Sequence, residues 1–231
     1  MGFAHNGAFW VQTGPFFQRT GPLNGPFHGS GSAVILHSLT SQRASHHHIA
    51  KRSRKPARVD QIEKQDERPP NQEKKSRAFR NPLGTLIFSY QGIPFYATKR
   101  TESRLVGVQK RIEGPRTQLR ITTIEQTLLD TFFQPQACGG LSVVVEAWEN
   151  GCSKLDQSRL ALYLSKINNL DLIRRAGAML EMVREPIKSD SLRTLLMRTR
   201  EAIAITTLPS ITLFPGVKGS DFNRGWGVET P

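Results

Sequence analysis

A chain of 231 residues with 37% apolar side chains can build one ordinary domain plus appendages, provided the apolar residues cluster. Its 32 Lys and Arg against 19 acidic residues leave a net charge of +13, which suits a phosphate-bearing partner or an acidic protein face, with plain solubility as the bland alternative. Two cysteines, Cys138 and Cys152, with no CxxC pair exclude a disulfide scaffold and a cysteine-rich zinc site, and the absence of a long apolar run or a signal-like Met1–Val11 fits a cytoplasmic protein with no membrane span.

Residues 1–31 interleave seven glycines and three prolines, so neither helical nor strand periodicity persists, and a disordered leader is predicted. Ala33, Leu36 and Leu39 repeat at three-residue spacing behind Ser32, predicting a short helix over Ser32–Thr40 with Ser32 as its cap. From Arg43 to Arg80 there are twelve Lys or Arg, five Asp or Glu and few apolar residues, the signature of a charged linker rather than a core. On this reading residues 32–82 are a helix and a basic linker, the folded domain is 83–231, and everything before it is dispensable for folding.

The pattern turns globular at Leu83. Thr85–Tyr90 and Ile93–Ala97 are β-branched and aromatic runs around Gln91-Gly92, a hairpin signal; Leu105–Ile112 and Gln118–Thr122 follow, joined through Gly114-Pro115. The period then changes from two to nearly four. Ile124, Leu128, Leu129, Phe132 and Phe133 share a helix face that Pro135 ends, and Thr123 with Gln126 predicts a capping box. Further helices are predicted at Leu141–Trp148, Gln157–Asn168 and Leu170–Val183, another capped by Ser189 or Asp190, and then a strand at Ile211–Phe214. Strands first and helices after imply an α+β domain: a small, mostly antiparallel sheet followed by a helical bundle packed on it.

Few residues carry evident chemistry. Lys51, Arg52, Arg54, Lys55 and Arg58 form the densest basic run and are the candidate nucleic-acid contacts, expected to bind weakly and without base readout. His46-His47-His48 lacks the spacing of a zinc site and reads as incidental on a flexible arm; both cysteines read as packing residues. No GxSxG, HExxH or P-loop occurs, and Glu125, Asp130, Glu146, Glu149 and Glu181 do not form a nuclease-like set, so a non-enzyme without cofactor or metal is expected. Thr123 and Glu125 read as helix capping, Asp130 as a polar-face residue pairing with a strand residue such as Arg120, and Arg224 and Trp226 as a packed strand end.

The run Ile121-Thr122-Thr123-Ile124-Glu125-Gln126-Thr127-Leu128-Leu129-Asp130 resembles the "V-T-T-P-E-R-T-L-L-D" helix start of the AbiEi family, the antitoxins of type IV (abortive-infection) toxin–antitoxin systems. Upstream, Phe95–Arg100 is similar to the family's "F-Y-A-T-K-R" strand; downstream, Pro135, Ala137, Gly139, Gly140 and Leu141 match its "P…A-x-G-G-L" step, and Leu213–Val228, with Asn223, Arg224 and Trp226, its closing "L-x-P…N-x-R-W-x-L" strand. Ser32–Thr40 resembles "S-A-L-x-L-H-G-L-T". The chain departs in having Ile124 for the proline and Gln126 for the arginine, and nothing in residues 1–80 matches the family's promoter-binding winged helix-turn-helix, which suggests a truncated or wrongly started member.

The resemblance implies an antitoxin that neutralises a co-encoded nucleotidyltransferase-type toxin without requiring a stable complex, with Thr123, Glu125, Leu128, Asp130, Arg224 and Trp226 as its signature residues. Two other readings stand beside it: a nucleic-acid-binding accessory or transcriptional regulator, and a metal-dependent nuclease with an unrecognised site.

Overall fold

Gln91 and Gly92 have φ angles of 49° and 79°, the pair of left-handed residues that a two-residue hairpin turn needs, and they fold β3 (Thr85–Tyr90) back on β4 (Ile93–Thr101). β5 (Val108–Gly114) and β6 (Thr117–Thr122) form a second antiparallel pair. This computed structural model describes residues 27–29, 31–43, 45–53, 83–114, 117–206 and 208–231.

The two hairpins do not touch. Between them lie β1 (Phe27–His28) and β2 (His47–Ser53), giving the order β3-β4-β2-β1-β6-β5. β2 runs parallel to β4 from His47 opposite Phe95 to Ser53 opposite Thr101, while β1 is antiparallel to β2 and parallel to β6. The sheet is therefore mixed, with three antiparallel pairings and two parallel ones. The domain also starts well before Leu83, and Phe27–Gly29 is not part of a disordered leader, because Phe27 is 1% exposed and packs with Ala50 and Leu105. The expected linker misled because its composition was averaged over 38 residues. His47-His48-Ile49-Ala50 supplies enough buried surface for one strand, and β4 beside it supplies the hydrogen bonds. Residues 1–26 and 54–82 lie outside the described residues.

α1 (Gly31–Leu36) starts one residue earlier than predicted, and Ser32 is not its cap. The buried Ser32 hydroxyl instead accepts the backbone N–H of His48 at 2.7 Å, tying α1 to β2. α1 ends in a Schellman motif. Ser38 N–H donates to Ile35 O (2.8 Å) and Leu39 N–H to Val34 O (2.9 Å), with Ser38 at φ 53° and Val34 and Leu39 both in the core. A serine pays for a conformation that glycine adopts freely, so Ser38→Gly is expected to stabilise the fold by about 0.5–1 kcal/mol, read as a raised thermal midpoint. A lowered midpoint would mean the serine side chain contributes more than the backbone strain costs.

Beyond β6 the chain is helical: α2 (Ile124–Thr131), α3 (Leu141–Cys152), α4 (Gln157–Ile167), α5 (Leu170–Met182) and α6 (Asp190–Ile205). Side chains of Thr123, Asp156, Asn169 and Ser189 accept from the first-turn N–H groups of α2, α4, α5 and α6, so Ser189 rather than Asp190 caps the last helix. Leu128, Leu129 and Phe132 reach the centre of the core, meeting Trp148, Leu160, Leu164 and Met179. A small sheet, ordered β7 (Ile211–Thr212), β9 (Val228–Thr230), β8 (Asp221–Asn223), closes the bundle; only two residues of the predicted Ile211–Phe214 strand are strand, and Leu213 and Phe214 turn into the core. The architecture is α+β. Among the described residues no helix is long and apolar enough to cross a membrane.

Candidate functional site

The motif-bearing segment Ile121–Asp130 is the joint between the sheet and the bundle, and every residue from Glu125 to Thr131 is buried. The helix therefore has no solvent-facing polar side; most of its polar atoms find partners inside the protein, Glu125 Oε2 and Asp130 Oδ2 being without a hydrogen bond among the described residues. Thr123 Oγ1 accepts from Gln126 N–H at 3.3 Å, but the capping box is not closed, since the Thr123 N–H goes to Gly107 O at 3.0 Å. The Gln126 carboxamide is used fully elsewhere. Its Oε1 accepts from the backbone N–H groups of Val106 (2.9 Å) and Gly107 (3.2 Å), and its Nε2 donates to Arg104 O (3.1 Å) and Asp130 Oδ1 (2.9 Å). An arginine here could not accept the first two bonds.

Asp130 pairs with Arg100 on β4, Nη1 to Oδ1 3.6 Å, and not with Arg120, which lies on β6 opposite Lys110 of β5. Burial pushes the Asp130 carboxyl above its usual range, with Arg100 and Gln126 opposing that shift. Glu125 sits in the first turn of α2 as the dipole reading requires, and it also receives Asp156 N–H at 2.9 Å and faces Arg159 at 3.6 Å, so it ties α2 to the start of α4. Leu128 is fully buried.

At the far end of the bundle, Trp226 is buried beneath Arg200, whose guanidinium lies 4.6 Å from the ring centroid, and the buried Arg174 donates to Trp226 O (2.8 Å) and Gly227 O (2.7 Å). Arg224 is exposed. Trp226 sits in the turn between β8 and β9, so the pair is a packed turn with an exposed arginine beside it.

The histidines are not on a flexible arm. His47 and His48 belong to β2; His48 is 1% exposed, and burial holds it and His28 down to about 4. His46 Nε2 donates to Ala137 O (3.1 Å), and the ring lies edge-on to His48. Among the described residues no three His, Cys, Asp or Glu side chains converge as a metal site. Cys138 and Cys152 are buried free thiols, both pushed up to about 12, which suits packing and not nucleophilic chemistry.

Of the five basic candidates, Lys51 and Arg52 lie on β2, while Arg54, Lys55 and Arg58 lie outside the described residues. Charge is divided sharply between the layers. From Thr123 onward twelve Lys and Arg balance twelve Asp and Glu, so the whole surplus precedes that residue; in the described part of the sheet layer nine basic residues meet two acidic ones. The register places like charges opposite one another three times, Lys51 with Lys99, Arg52 with Arg100 and Lys110 with Arg120. Sequence reasoning missed this surface because Lys51 and Lys99 are 48 positions apart and only the register joins them.

No protein-family model matches the chain, and no curated protein matches it.

Proposed function

We propose that the chain is the antitoxin component of a type IV toxin–antitoxin system, acting in the cytoplasm against a co-encoded nucleotidyltransferase-type toxin and performing no catalysis itself. The observation that carries the reading comes from two positions where the chain departs from the family's pattern. Ser38 stands where that pattern has glycine, and its φ of 53° in a Schellman motif is the conformation glycine suits best. Ile124 stands where the pattern has proline, and it is the first residue of α2, preceded by an extended Thr123 (φ −62°, ψ 165°), the context in which proline is favoured. Backbone geometry thus agrees with the family's residue at these two departures, while at Gln126 it fits the residue this chain carries.

Contacts between the matched segments support the same reading. Arg100 of Phe95–Arg100 meets Asp130 of Ile121–Asp130, and His37 of Ser32–Thr40 reaches Thr122 O at 2.6 Å. Since the signature residues other than the exposed Arg224 are buried, their role in this reading is to hold the fold, and neutralisation falls to the surface.

The test is co-expression with the nucleotidyltransferase-type toxin of the neighbouring gene in a bacterial host. Growth arrested by the toxin alone should recover when this chain is present. Continued arrest with the chain soluble and folded, or a neighbouring gene of another kind, would overturn the proposal.

A further inference from the structure

The pairing register defines one face of β2, β3 and β4, on which Ile49 and Phe95 are buried while the β3 rings and the lysines beyond them are exposed. Phe95 lies between His47 on β2 and Phe88 on β3, with ring centroids 4.8 Å and 4.5 Å away, and the Phe88 and Phe95 rings are stacked within 14° of parallel. Alternation along the strands places Ile93, Ala97 and Lys99 of β4 on this same face, and across from Ile93 and Lys99 lie Tyr90 and Lys51. From the hairpin turn outward the face therefore carries Tyr90, then Phe88 stacked on Phe95, then the pair Lys51 and Lys99.

Two properties of this face have no explanation within the fold. Every residue of β3 is exposed, with Phe88 at 45% and Tyr90 at 43%. Lys51 and Lys99 are also exposed and adjacent on paired strands, where like charges cost stability. Large exposed rings beside unneutralised ammonium groups mark an interaction surface rather than an ordinary solvated strand.

The charge decides which occupant fits. A second copy of the chain would bring the same cations against the same cations, and the layer already holds nine basic residues to two acidic. A polyanion relieves that repulsion. The rings restrict it further, because stacking requires bases that are not already paired; Phe88 and Tyr90, two residues apart, are about 7 Å apart along the strand, room for two successive splayed bases. Lys99 lies four residues, about 13 Å, beyond Phe95, within reach of the neighbouring phosphates for a long flexible side chain.

We propose that this face binds single-stranded nucleic acid, with bases stacking on Phe88 and Tyr90 and phosphates held by Lys51 and Lys99. This goes beyond the antitoxin reading and does not depend on it.

The experiment is a fluorescence-anisotropy titration of the full chain with labelled single-stranded RNA, single-stranded DNA and duplex DNA, at several salt concentrations. Single strands should bind more tightly than the duplex, and preference between RNA and DNA tells which source is read. The double variant Phe88→Ala/Tyr90→Ala should weaken single-strand binding by roughly tenfold or more with the salt slope unchanged, and Phe88→Trp/Tyr90→Trp should restore it. Lys51→Ala/Lys99→Ala should flatten the log–log salt slope by about 1.4, the loss of two single-strand phosphate contacts. Lys51→Ala/Lys99→Ala should melt no lower than the parent, since it removes a like-charge pair, and Phe88→Trp/Tyr90→Trp controls for the packing on Phe95 that Phe88→Ala gives up. Three results would overturn the proposal: duplex bound as tightly as single strands; binding lost only in Arg54→Ala/Lys55→Ala/Arg58→Ala; or a wild-type dimer that Phe88→Ala/Tyr90→Ala converts to monomer, which would put a second copy on this face.

Discussion

A chain beginning at Leu83 is expected not to fold cooperatively, although its sequence pattern alone marks that residue as the start of the domain. Removing what precedes it deletes β1 and β2 from the middle of the six-stranded sheet, so that β4 loses its partner from His47 through Ser53 and β6 loses β1. Two separate hairpins would remain, and an isolated two-stranded hairpin is marginal in water. The same cut removes Phe27, Val34, Leu39, Ile49 and Ala50, all buried, and opens a void against Leu128, beside which Leu39 packs near Gly151. At roughly 2–5 kcal/mol for each large buried side chain, four such losses amount to about 8–20 kcal/mol, comparable to the whole ~5–15 kcal/mol that holds a typical domain together. Limited proteolysis of the whole chain should leave a resistant core that retains residues 27–53. A chain of residues 83–231 that melted cooperatively at the full chain's midpoint would show that β1, α1 and β2 are accessory.

Legibility divided along the distance over which each feature is encoded. The Gln91-Gly92 hairpin, the Thr123 cap and the helices from Leu141 onward depend on neighbours within a few positions, and the sequence pattern located them to within a few residues. β1 and β2 depend on partners far away in the chain. A two-residue strand has no periodicity to read, and His47–Ser53 is polar enough to pass for linker because β4 and β1 satisfy its backbone on both sides. Asp130 failed for a related reason. A helix with Glu125, Gln126, Thr127 and Asp130 reads as having a wet face, yet here Val106, Gly107, Arg104 and Arg100 come from a distant turn and strand to meet those side chains. The aromatic and cationic face of the sheet was equally invisible, since Phe88, Tyr90, Lys51 and Lys99 come together only through register.

Arg100→Met should destabilise the protein by about 3 kcal/mol at neutral pH, because it leaves Asp130 charged and buried without its cation. Gln126 Nε2 still donates to Oδ1, but among the described residues Oδ2 has no hydrogen-bond partner, so one amide cannot replace the guanidinium. The cost should depend on pH in a definite direction. Burial already raises the Asp130 carboxyl above its unfolded value of 3.8, and losing Arg100, the largest opposing influence, raises it further. A carboxyl with a raised folded pKa favours folding fully below its unfolded pKa and loses that benefit as pH climbs through the folded value, so the variant's deficit is greatest at neutral pH and shrinks on acidification. His28 and His48 act oppositely in both proteins, since their pKa values are lowered to about 4 and folding loses their contribution as pH falls below 6.5. The quantity to follow is therefore the difference between Arg100→Met and the parent in urea unfolding, in which the shared histidine terms largely cancel. Arg100 also weighs on His48, and its removal eases protonation there, which narrows the gap at low pH in the same sense. A deficit that stayed constant from neutral to acidic pH would mean that Arg100 contributes through packing of its side chain and not through the charge on Asp130.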